Sequence, residues 1–264
     1  MTWTFPDWTQ SNDDMPVAVG ADLSVEALTN AYRSGYYPVP PTNDYWRNWN
    51  EEKYGPALDS GVIPALGDRY PRFTLPWWSP ARRAVLLPET VRLGRTVRQS
   101  LSRTGWTTTM DTATETVIER CGPARDEPTW LSREVADAYL RLAETGIVHS
   151  VEVWDADGEL IGGTFGVLTG TVLTGESCFR TRDNAVRVAL LDGLLRLLDA
   201  GGELFDCQIL SGYLPSIGGV EIAKREFHER LEAGRKSELV LPTERRSLER
   251  ILRLRPKPGY VPEP

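Results

Sequence analysis

Two hydrophobic periodicities occur along the chain, and they predict two kinds of element. A capping side chain followed by apolar residues three or four positions apart predicts helices beginning after Ser24, Thr112 and Ser132. Runs of β-branched and aromatic residues separated by Asp-Gly and Thr-Gly turns predict strands. The clearest strands form a meander over residues 148–154, 159–167 and 171–178.

The elements around this meander indicate the fold class. A helix from Asn184 follows it, then a strand at FDCQIL (205–210), then a last helix over 224–233. This order predicts an α+β fold, with an antiparallel or mixed sheet and flanking helices, of the N-acetyltransferase (GNAT) type. We expect a smaller α/β N-terminal domain before it. The predicted boundaries are an N-terminal domain over 1–125, a catalytic domain over 126–240 and a basic C-terminal extension over 241–264.

The N-terminal part shows weaker patterns. Residues 84–87 and 107–110 are predicted strands, and residues 91–102 a helix. The segment 36–76 is rich in Pro, Gly, Tyr and Trp without a sustained period, which predicts a long loop or insertion, with its insertion proper around 39–75. Long loops of this kind are often functional.

Three polar residues interrupt the predicted strand FDCQIL. An ionised carboxylate is costly to bury without a partner, so Asp206 in an apolar strand calls for an explanation. Strand alternation places Phe205 and Cys207 on one face and Asp206 with Gln208 on the other. Glu176, at the end of the third meander strand, is another acid among apolar neighbours. The pattern therefore favours a strand that brings polar groups into a cleft, with Cys207 in the core.

Composition narrows the classes of protein. Three cysteines and two histidines argue against a disulfide scaffold or a zinc site, so no metal is expected. The apolar runs are too short for a membrane span, and the N-terminus lacks the pattern of a signal peptide. A reducing cytoplasm is the expected location. Residues 1–70 carry a net charge of −6, and the remainder is nearly balanced.

Arginines cluster in two places within this balanced part. Because phosphate contacts need local rather than global charge, such patches are compatible with nucleic acid, although solvated helix faces are the simpler explanation for either cluster alone. The second cluster lies near the C-terminus, from Arg245 to Lys257. The candidates for phosphate contacts come from the first cluster: Arg82, Arg83, Arg95 and Arg98.

Four segments resemble the leucyl/phenylalanyl-tRNA–protein transferase family. They are VGADLSVEALTNAYRSGYYP (19–38), PWWSPARRAVLLPE (76–89), PTWLSREVADAYLRLAETGIVHSVEVW (128–154), and GGTFGVLTGTVLTGESCF with FDCQILSGYLPSIGG (162–179 and 205–219). They follow the order of the family. The resemblance implies transfer of Leu, Phe or Met from aminoacyl-tRNA to the N-terminal Arg or Lys of a protein, which marks that protein for degradation as an N-degron. It implies no cofactor, and a monomer is the default expectation.

The resemblance also implies roles for individual residues. Trp78 and Trp130 correspond to positions that hold the terminal adenosine of the tRNA, where aromatic stacking is the expected interaction. Asp206, Gln208 and Glu176 match the family's reaction centre. A pocket for the transferred side chain aligns with Thr164, Leu173, Cys178, Leu197 and Phe205.

The sequence departs from the family in ways that affect this interpretation. Thr164 and Cys178 stand where bulkier or Met-type residues are expected, which leaves the preferred donor amino acid open. The insertion around 39–75 either shapes an entrance for tRNA or peptide or decorates the surface.

Other classes of protein remain open at this stage. One is an N-acyltransferase that uses acyl-CoA, although FRTRDNAVR (179–187) lacks the glycines of a pyrophosphate loop. A non-catalytic RNA-binding relative and a peptidoglycan-type aminoacyl-tRNA ligase are further alternatives.

Overall fold

The structure is a computed structural model that describes residues 3–126 and 128–255. Short 3₁₀ helices occur at Trp8–Gln10 and Leu214–Ile217. In chain order the helices and strands are β1 Ala18–Gly20, α1 Val25–Arg33, β2 Tyr37–Pro38, α2 Asp44–Asp59, β3 Ala65–Leu66, β4 Pro76–Trp78, β5 Arg82–Leu86, α3 Arg95–Leu101, β6 Thr107–Met110, α4 Thr114–Cys121, α5 Arg133–Ala143, β7 Val148–Trp154, β8 Leu160–Thr169, β9 Val172–Arg180, α6 Ala185–Asp199, β10 Leu204–Gln208, β11 Val220–Ala223, α7 Lys224–Gly234, β12 Arg246–Ser247 and α8 Glu249–Arg253.

Two compact units divide the chain, and each is discontinuous. The first comprises Met1–Ala81 and Gly122–Thr145, and the second comprises Arg82–Cys121 and Gly146–Pro264. This division differs from the contiguous boundaries predicted from the sequence. The cause is that β5 and β6, although early in the chain, pair with β10 and β7 of the second unit.

The first unit contains a four-stranded sheet in the order β2-β4-β1-β3. Helix α1 begins as predicted, with the Ser24 hydroxyl accepting a hydrogen bond from the Ala27 amide. Ser132 caps α5 in the same way through the Val135 amide. The two helices contact each other, and the hydroxyls of Tyr32 and Tyr139 share a buried hydrogen bond of 2.6 Å.

The prediction of a long loop over 36–76 is wrong. This segment contains α2, a helix of 16 residues, together with β2 and β3. The Asn43 side chain caps α2 by accepting a hydrogen bond from the Trp46 amide. The helix has few aliphatic residues and contains Pro56, so its sequence lacks the apolar period that predicts a helix.

The second unit contains an eight-stranded mixed sheet in the order β11-β5-β10-β9-β8-β7-β6-β12. The prediction that FDCQIL forms a central strand is confirmed for Phe205 to Gln208, because β10 lies between β5 and β9. Ile209 and Leu210 lie beyond the end of the strand, and Ile209 is exposed. Strands β9 and β10 are parallel, and their other neighbours are antiparallel. The chain is therefore a mixed α and β protein, in agreement with the predicted α+β class.

Helices cover both faces of this sheet. On one face α6 packs against a large apolar cluster that includes Leu86, Leu173 and Phe205. On the other face α7 contributes Phe227 and Leu231 to a smaller cluster with Val85, Val172 and Leu204. Alternation along β10 thus holds from Leu204 to Asp206, with Phe205 facing α6.

Two helix ends differ from prediction. Helix α3 begins at Arg95 rather than near Val91, because Gly94 has an extended backbone. The Thr112 side chain does not cap α4; instead the buried carboxylate of Glu152 accepts hydrogen bonds from the amides of Thr112 and Ala113. A strand residue distant in sequence therefore caps this helix, which local patterns do not reveal.

The C-terminal residues belong to the second unit. Strand β12 pairs with β6, and Leu241, Leu248 and Ile251 are buried in the same apolar cluster as α6. The predicted basic extension over 241–264 is thus, in its described part, an integral piece of the core. Among the described residues, no helix is long and apolar enough to cross a membrane.

Candidate functional site

The parallel strands β9 and β10 separate at their carboxyl ends. Their pairing runs from Leu204 opposite Val172 to Asp206 opposite Thr174 and stops there. Beyond this point each strand has a register shift against its other neighbour, at Glu176 in β9 and at Cys207 in β10. Such bulges bend a strand and redirect its side chains. The sheet therefore opens at the residues that the sequence singles out.

A side-chain hydrogen bond spans this opening. The Nε2 atom of Gln208 donates to Oε1 of Glu176 over 3.0 Å. Glu176 is buried and Gln208 is half-buried, so the pair is only partly accessible to water. The structure thus brings together two of the three residues that the family resemblance assigns to the reaction centre.

The third residue, Asp206, is held by Arg83 of β5. The arginine donates from Nε to Oδ1 over 2.9 Å and from Nη2 to Oδ2 over 2.7 Å. The Asp206 side chain is 0% exposed and the Arg83 side chain 2%. The guanidinium lies 4.1 Å from the centre of the Phe227 ring. A bidentate pair of this kind is the arrangement that makes a buried carboxylate tolerable.

The position of Arg83 corrects its predicted role. The sequence offered it as a phosphate contact, but its guanidinium is buried in the ion pair with Asp206 and cannot reach a phosphate on the surface. The residue is missed as a partner of Asp206 because the two lie 123 positions apart in the sequence. Alternation along β5 distinguishes exposed Arg82 from buried Arg83, and it is the signal that could have found this pair.

Asp206 also positions Gln208 through the backbone. Its Oδ1 accepts a hydrogen bond of 2.8 Å from the Gln208 amide. Gln208 has a φ of 63°, in the left-handed region that costs a residue with a Cβ roughly 1–2 kcal/mol. The two side chains make separate contacts on either side of the bulge at Cys207. The Asp206 carboxylate contacts Arg83, and the Gln208 side-chain amide contacts Glu176.

Cys207 packs on the opposite side, toward α6, as the strand pattern predicts. Burial, with contributions from Asp206 and Cys178, raises the pKa of its thiol well above the usual value. Burial and the nearby Cys178 also raise the pKa of Tyr213. The Arg187 guanidinium lies 4.9 Å from the centre of the Tyr213 ring. The Cys207 thiol and the Tyr213 phenol on this side of the bulge are therefore neutral. The sequence did not identify Tyr213 as a residue of the site.

The residues predicted to form the side-chain pocket are all in the second unit. Leu173, Leu197 and Phe205 are buried in the cluster against α6, and Cys178 packs against that cluster. The Thr164 hydroxyl donates to the Ser177 carbonyl over 2.9 Å, so it does not leave a free donor. Leu197 lies near the end of α6 that precedes β10, against Gly202, whereas Gln208 is at the opposite end of the strand.

The remaining predicted phosphate contacts have different environments. Arg82 and Arg95 are exposed, whereas Arg98 is half-buried and donates to the carbonyl of Leu254 over 2.9 Å. In the second basic cluster, Arg246 and Arg250 both bind Asp199 at the end of α6. Lys257 lies outside the described residues. Much of the clustered positive charge is therefore structural.

Trp78 and Trp130, the candidates for adenosine binding, are in the first unit. Trp78 ends β4 and packs edge-to-face against Tyr54 of α2, with 5.9 Å between ring centres. Trp130 lines a cavity of about 580 Å³ that is also lined by Tyr70, Arg47 and Glu134. The lining of this cavity does not include Trp78. The segment 36–76 thus contributes neighbours to both tryptophans.

Known proteins resemble this chain over most of its length. A family model described as leucyl/phenylalanyl-tRNA protein transferase matches residues 85–232, a span that includes Trp130, Glu176, Asp206 and Gln208. Proteins named leucyl/phenylalanyl-tRNA–protein transferase match from Citrobacter koseri, with 37% identity over 84% of this chain and 82% of the relative, and from Shigella sonnei, with 38% over 80% and 77%. A third, from Proteus mirabilis, is 37% identical over 83% and 82%.

These matches define an enzyme of the aminoacyl-tRNA–protein transferase class. The chain belongs to the leucyl/phenylalanyl-tRNA protein transferase family. A solved structure of the C-terminal DUF2156 domain of an Agrobacterium fabrum protein, described as a lysylphosphatidylglycerol synthetase, covers 62% of this chain and 59% of its own at 16% identity and a TM-score of 0.35. That likeness is too weak to support a statement about fold or function.

Proposed function

We propose that this protein transfers Leu, Phe or Met from aminoacyl-tRNA to the N-terminal Arg or Lys of acceptor proteins. Membership of the transferase family supports this activity. The observation that carries it to particular residues is the Glu176–Gln208 hydrogen bond at the point where β9 and β10 separate. The product would mark the acceptor as an N-degron.

The reaction is aminolysis of an ester that is already activated. The neutral α-amine of the acceptor attacks the ester carbonyl carbon, a C–N bond forms, and the bond from that carbon to the ribose oxygen breaks. The amine loses a proton and the ribose oxygen gains one. Because an α-amine has a pKa of about 8, a fraction of it is already neutral at pH 7, and a nearby hydrogen-bond acceptor is enough to assist its attack.

Glu176 and Gln208 are the residues that we assign to the reacting groups. The side-chain oxygen Oε1 of Gln208 can accept a hydrogen bond from the attacking amine, while Nε2 of the same amide donates its hydrogen bond to Glu176. The Glu176 carboxylate attracts the cationic first residue of the acceptor. Thr164, Leu173, Cys178, Leu197 and Phe205 remain the proposed residues for recognition of the transferred side chain.

Asp206 acts through Gln208 in this proposal. Both of its oxygens are committed to Arg83, and Oδ1 also holds the Gln208 amide in its strained conformation. Its full burial leaves no direct path to an attacking amine. We therefore assign Asp206 a positioning role.

The remaining proposed contacts of the protein are with the donor tRNA. Trp78 and Trp130 are proposed to stack on its terminal adenosine, and exposed Arg82 and Arg95 to contact phosphates. A GNAT-type arrangement of the second unit, a cytoplasmic location and a monomer are further parts of the proposal. The order of β7, β8 and β9 followed by α6, β10 and α7 supports the fold assignment, because it is the element order from which that fold was predicted.

An aminoacyl-transfer assay tests this function. Leucyl-, phenylalanyl- and methionyl-tRNA would each be offered with peptides that begin with Arg, Lys or Ala. We expect transfer to the Arg and Lys peptides and none to the Ala peptide. Failure with all three donors would overturn the proposal, and transfer from acetyl-CoA instead would identify an acyl-CoA-dependent enzyme.

A further inference from the structure

Helix α2 exposes large aromatic side chains on one side. Tyr45, Trp46 and Trp49 are 68%, 48% and 39% exposed. Tyr45 and Trp49 are four residues apart and therefore lie on the same side of the helix, with Trp46 adjacent. An exposed cluster of large apolar side chains marks an interaction surface more often than a passive one. We call Tyr45, Trp46 and Trp49 the aromatic face of α2.

Ring contacts connect the aromatic face to Trp78 through Tyr54, which is buried. Ring centres are 5.3 Å apart for Tyr45 and Trp46, and 5.9 Å for Trp46 and Trp49. Trp49 then contacts Tyr54 at 6.1 Å, and Tyr54 contacts Trp78 at 5.9 Å. Each contact is edge-to-face, which fixes the orientation of the next ring. The exposed rings are thus held in place by a row that ends at a proposed adenosine-binding residue.

One cation of α2 lies against the rings of this surface. Lys53 lies one further turn along the same side of α2, with Nζ 4.7 Å from the Trp49 ring centre and 4.9 Å from that of Tyr54. Arg72 binds both Glu51 and Asp59, and Arg47 binds Asp44. Three of the four acids of α2 are therefore offset by arginines. The fourth, Glu52, is exposed three residues after Trp49, and the cation of Lys53 lies among the rings.

We propose that the aromatic face of α2 is a stacking surface for the unpaired nucleotides that precede the terminal adenosine of the donor tRNA. Bases of any identity stack on aromatic side chains, and Lys53 can approach the phosphates between them. This inference rests on the proposed function, since it extends the adenosine contact of Trp78 to neighbouring nucleotides. It also gives the insertion around 39–75 a role in binding the donor.

The test compares two donors that differ in length. Phenylalanyl-tRNA carries the preceding nucleotides, whereas phenylalanyl-adenosine carries only the terminal nucleoside. For a Trp46→Ala/Trp49→Ala variant we expect kcat/KM with phenylalanyl-tRNA to fall about tenfold or more. With phenylalanyl-adenosine the same variant should match the wild-type protein. Val62→Ala, an apolar position that lies after the end of α2 and is 61% exposed, is the control and should leave both donors unaffected.

Direct binding separates this inference from the proposed function. A labelled single-stranded RNA ending in CCA is titrated with each protein, and the double variant should bind at least about tenfold more weakly than wild type or Val62→Ala. If the wild type transfers from neither donor, the proposed function fails, and this binding difference still tests the stacking surface.

Three outcomes would overturn the inference. Equal loss with both donors would show that the rings serve the adenosine site or the fold. A raised KM only for the acceptor peptide would make α2 a peptide-docking surface. A dimer that dissociates in the double variant would make it a contact between copies of this chain.

Discussion

At the scale of single residues, the buried pair of Arg83 and Asp206 explains how a carboxylate is tolerated in β10. Removing one partner of such a pair leaves an unpaired buried charge, which costs about 3–5 kcal/mol, whereas replacing both by apolar groups is often neutral. The ion pair is therefore expected to position Gln208 more than to stabilise the fold. Stability and activity should respond differently to its removal.

We predict that Arg83→Met lowers the free energy of unfolding by about 3–5 kcal/mol. The double variant Arg83→Met/Asp206→Leu should recover much of that loss while transfer stays low, because Gln208 has lost its anchor. Urea unfolding and the transfer assay measure the two quantities. Arg82→Met, at the exposed neighbouring position of β5, is the control for stability. A double variant as unstable as the single one would contradict the prediction.

Glu176 permits a second prediction at this scale, about charge. Glu176→Gln keeps an oxygen that can accept the Gln208 hydrogen bond but removes the negative charge. We expect KM for an Arg-initiated peptide to rise about fivefold, which corresponds to an ion pair worth about 1 kcal/mol, with little change in kcat. Glu176→Ala should lower kcat as well, because Gln208 loses its partner.

Steady-state kinetics with Arg peptides distinguish these effects. Glu159→Gln, an exposed carboxylate in the turn between β7 and β8, provides the control and should leave both constants unchanged. An unchanged KM for Glu176→Gln would remove Glu176 from acceptor recognition.

At the scale of elements, the sequence predicted the helix starts that depend on neighbouring residues and missed those that depend on residues far away in the chain. Ser24 and Ser132 mark helix starts correctly because each cap lies within three residues of the amide that it binds. The start of α4 depends on Glu152, about forty residues away, and is not visible locally. Helix α2 was missed because tryptophan and tyrosine replace the aliphatic residues on which the helical period depends.

The end of β10 shows the same limit within the candidate site. Strand alternation placed Asp206 and Phe205 on opposite faces correctly, but no local pattern announced the bulge at Cys207 that follows. The bulge is what turns Gln208 toward Glu176 and gives it a positive φ. The sequence could thus predict which residues belong to the site. It could not predict their geometry, which depends on the point at which β9 and β10 stop pairing.

The conformation of Gln208 leads to a prediction at this scale. Gln208→Gly and Gln208→Ala both remove the amide, but only glycine adopts φ near 63° without a steric cost. We therefore expect Gln208→Gly to be about 1 kcal/mol more stable than Gln208→Ala, the reverse of the usual order in a strand. Both should lose most transfer activity. Urea midpoints of the two variants check this, and an alanine variant that is the more stable of the two would show that the position is unstrained.

At the scale of the whole molecule, the C-terminal segment completes the second unit. Arg196 of α6, buried, donates to the Pro242 carbonyl over 2.6 Å, and its Nε binds Asp192. Asp199 at the end of α6 binds Arg246 and Arg250. Composition alone left this basic segment compatible with either nucleic-acid contacts or a solvated helix face. In the structure these arginines instead connect the last elements to α6, so charge clusters in a sequence do not distinguish binding from internal pairing.

Asp199 makes this connection dependent on pH. Hydrogen bonds from Arg250, opposed by partial burial and aided by Arg246, lower the pKa of Asp199 below its usual 3.8. A carboxyl whose pKa is lowered on folding stabilises the protein above its unfolded pKa and loses that effect as the pH falls through its folded pKa. The stabilisation should therefore be complete at neutral pH, begin to decline near pH 3.8, and disappear only below the lowered pKa that Asp199 has in the folded protein.

We predict that Asp199→Asn lowers the free energy of unfolding by about 1 kcal/mol at pH 7, as expected for a partly exposed carboxylate shared by two arginines. The difference from wild type should shrink as the pH falls below 3.8 and vanish when Asp199 is protonated in both states. Urea unfolding at pH 7, 5, 4 and 3 measures it. Asp183→Asn, whose side chain is 90% exposed beside Arg180, is the matched control and should follow wild type at every pH. A loss for Asp199→Asn that is the same at pH 3 and pH 7 would mean that shape, not charge, attaches the C-terminal segment to α6.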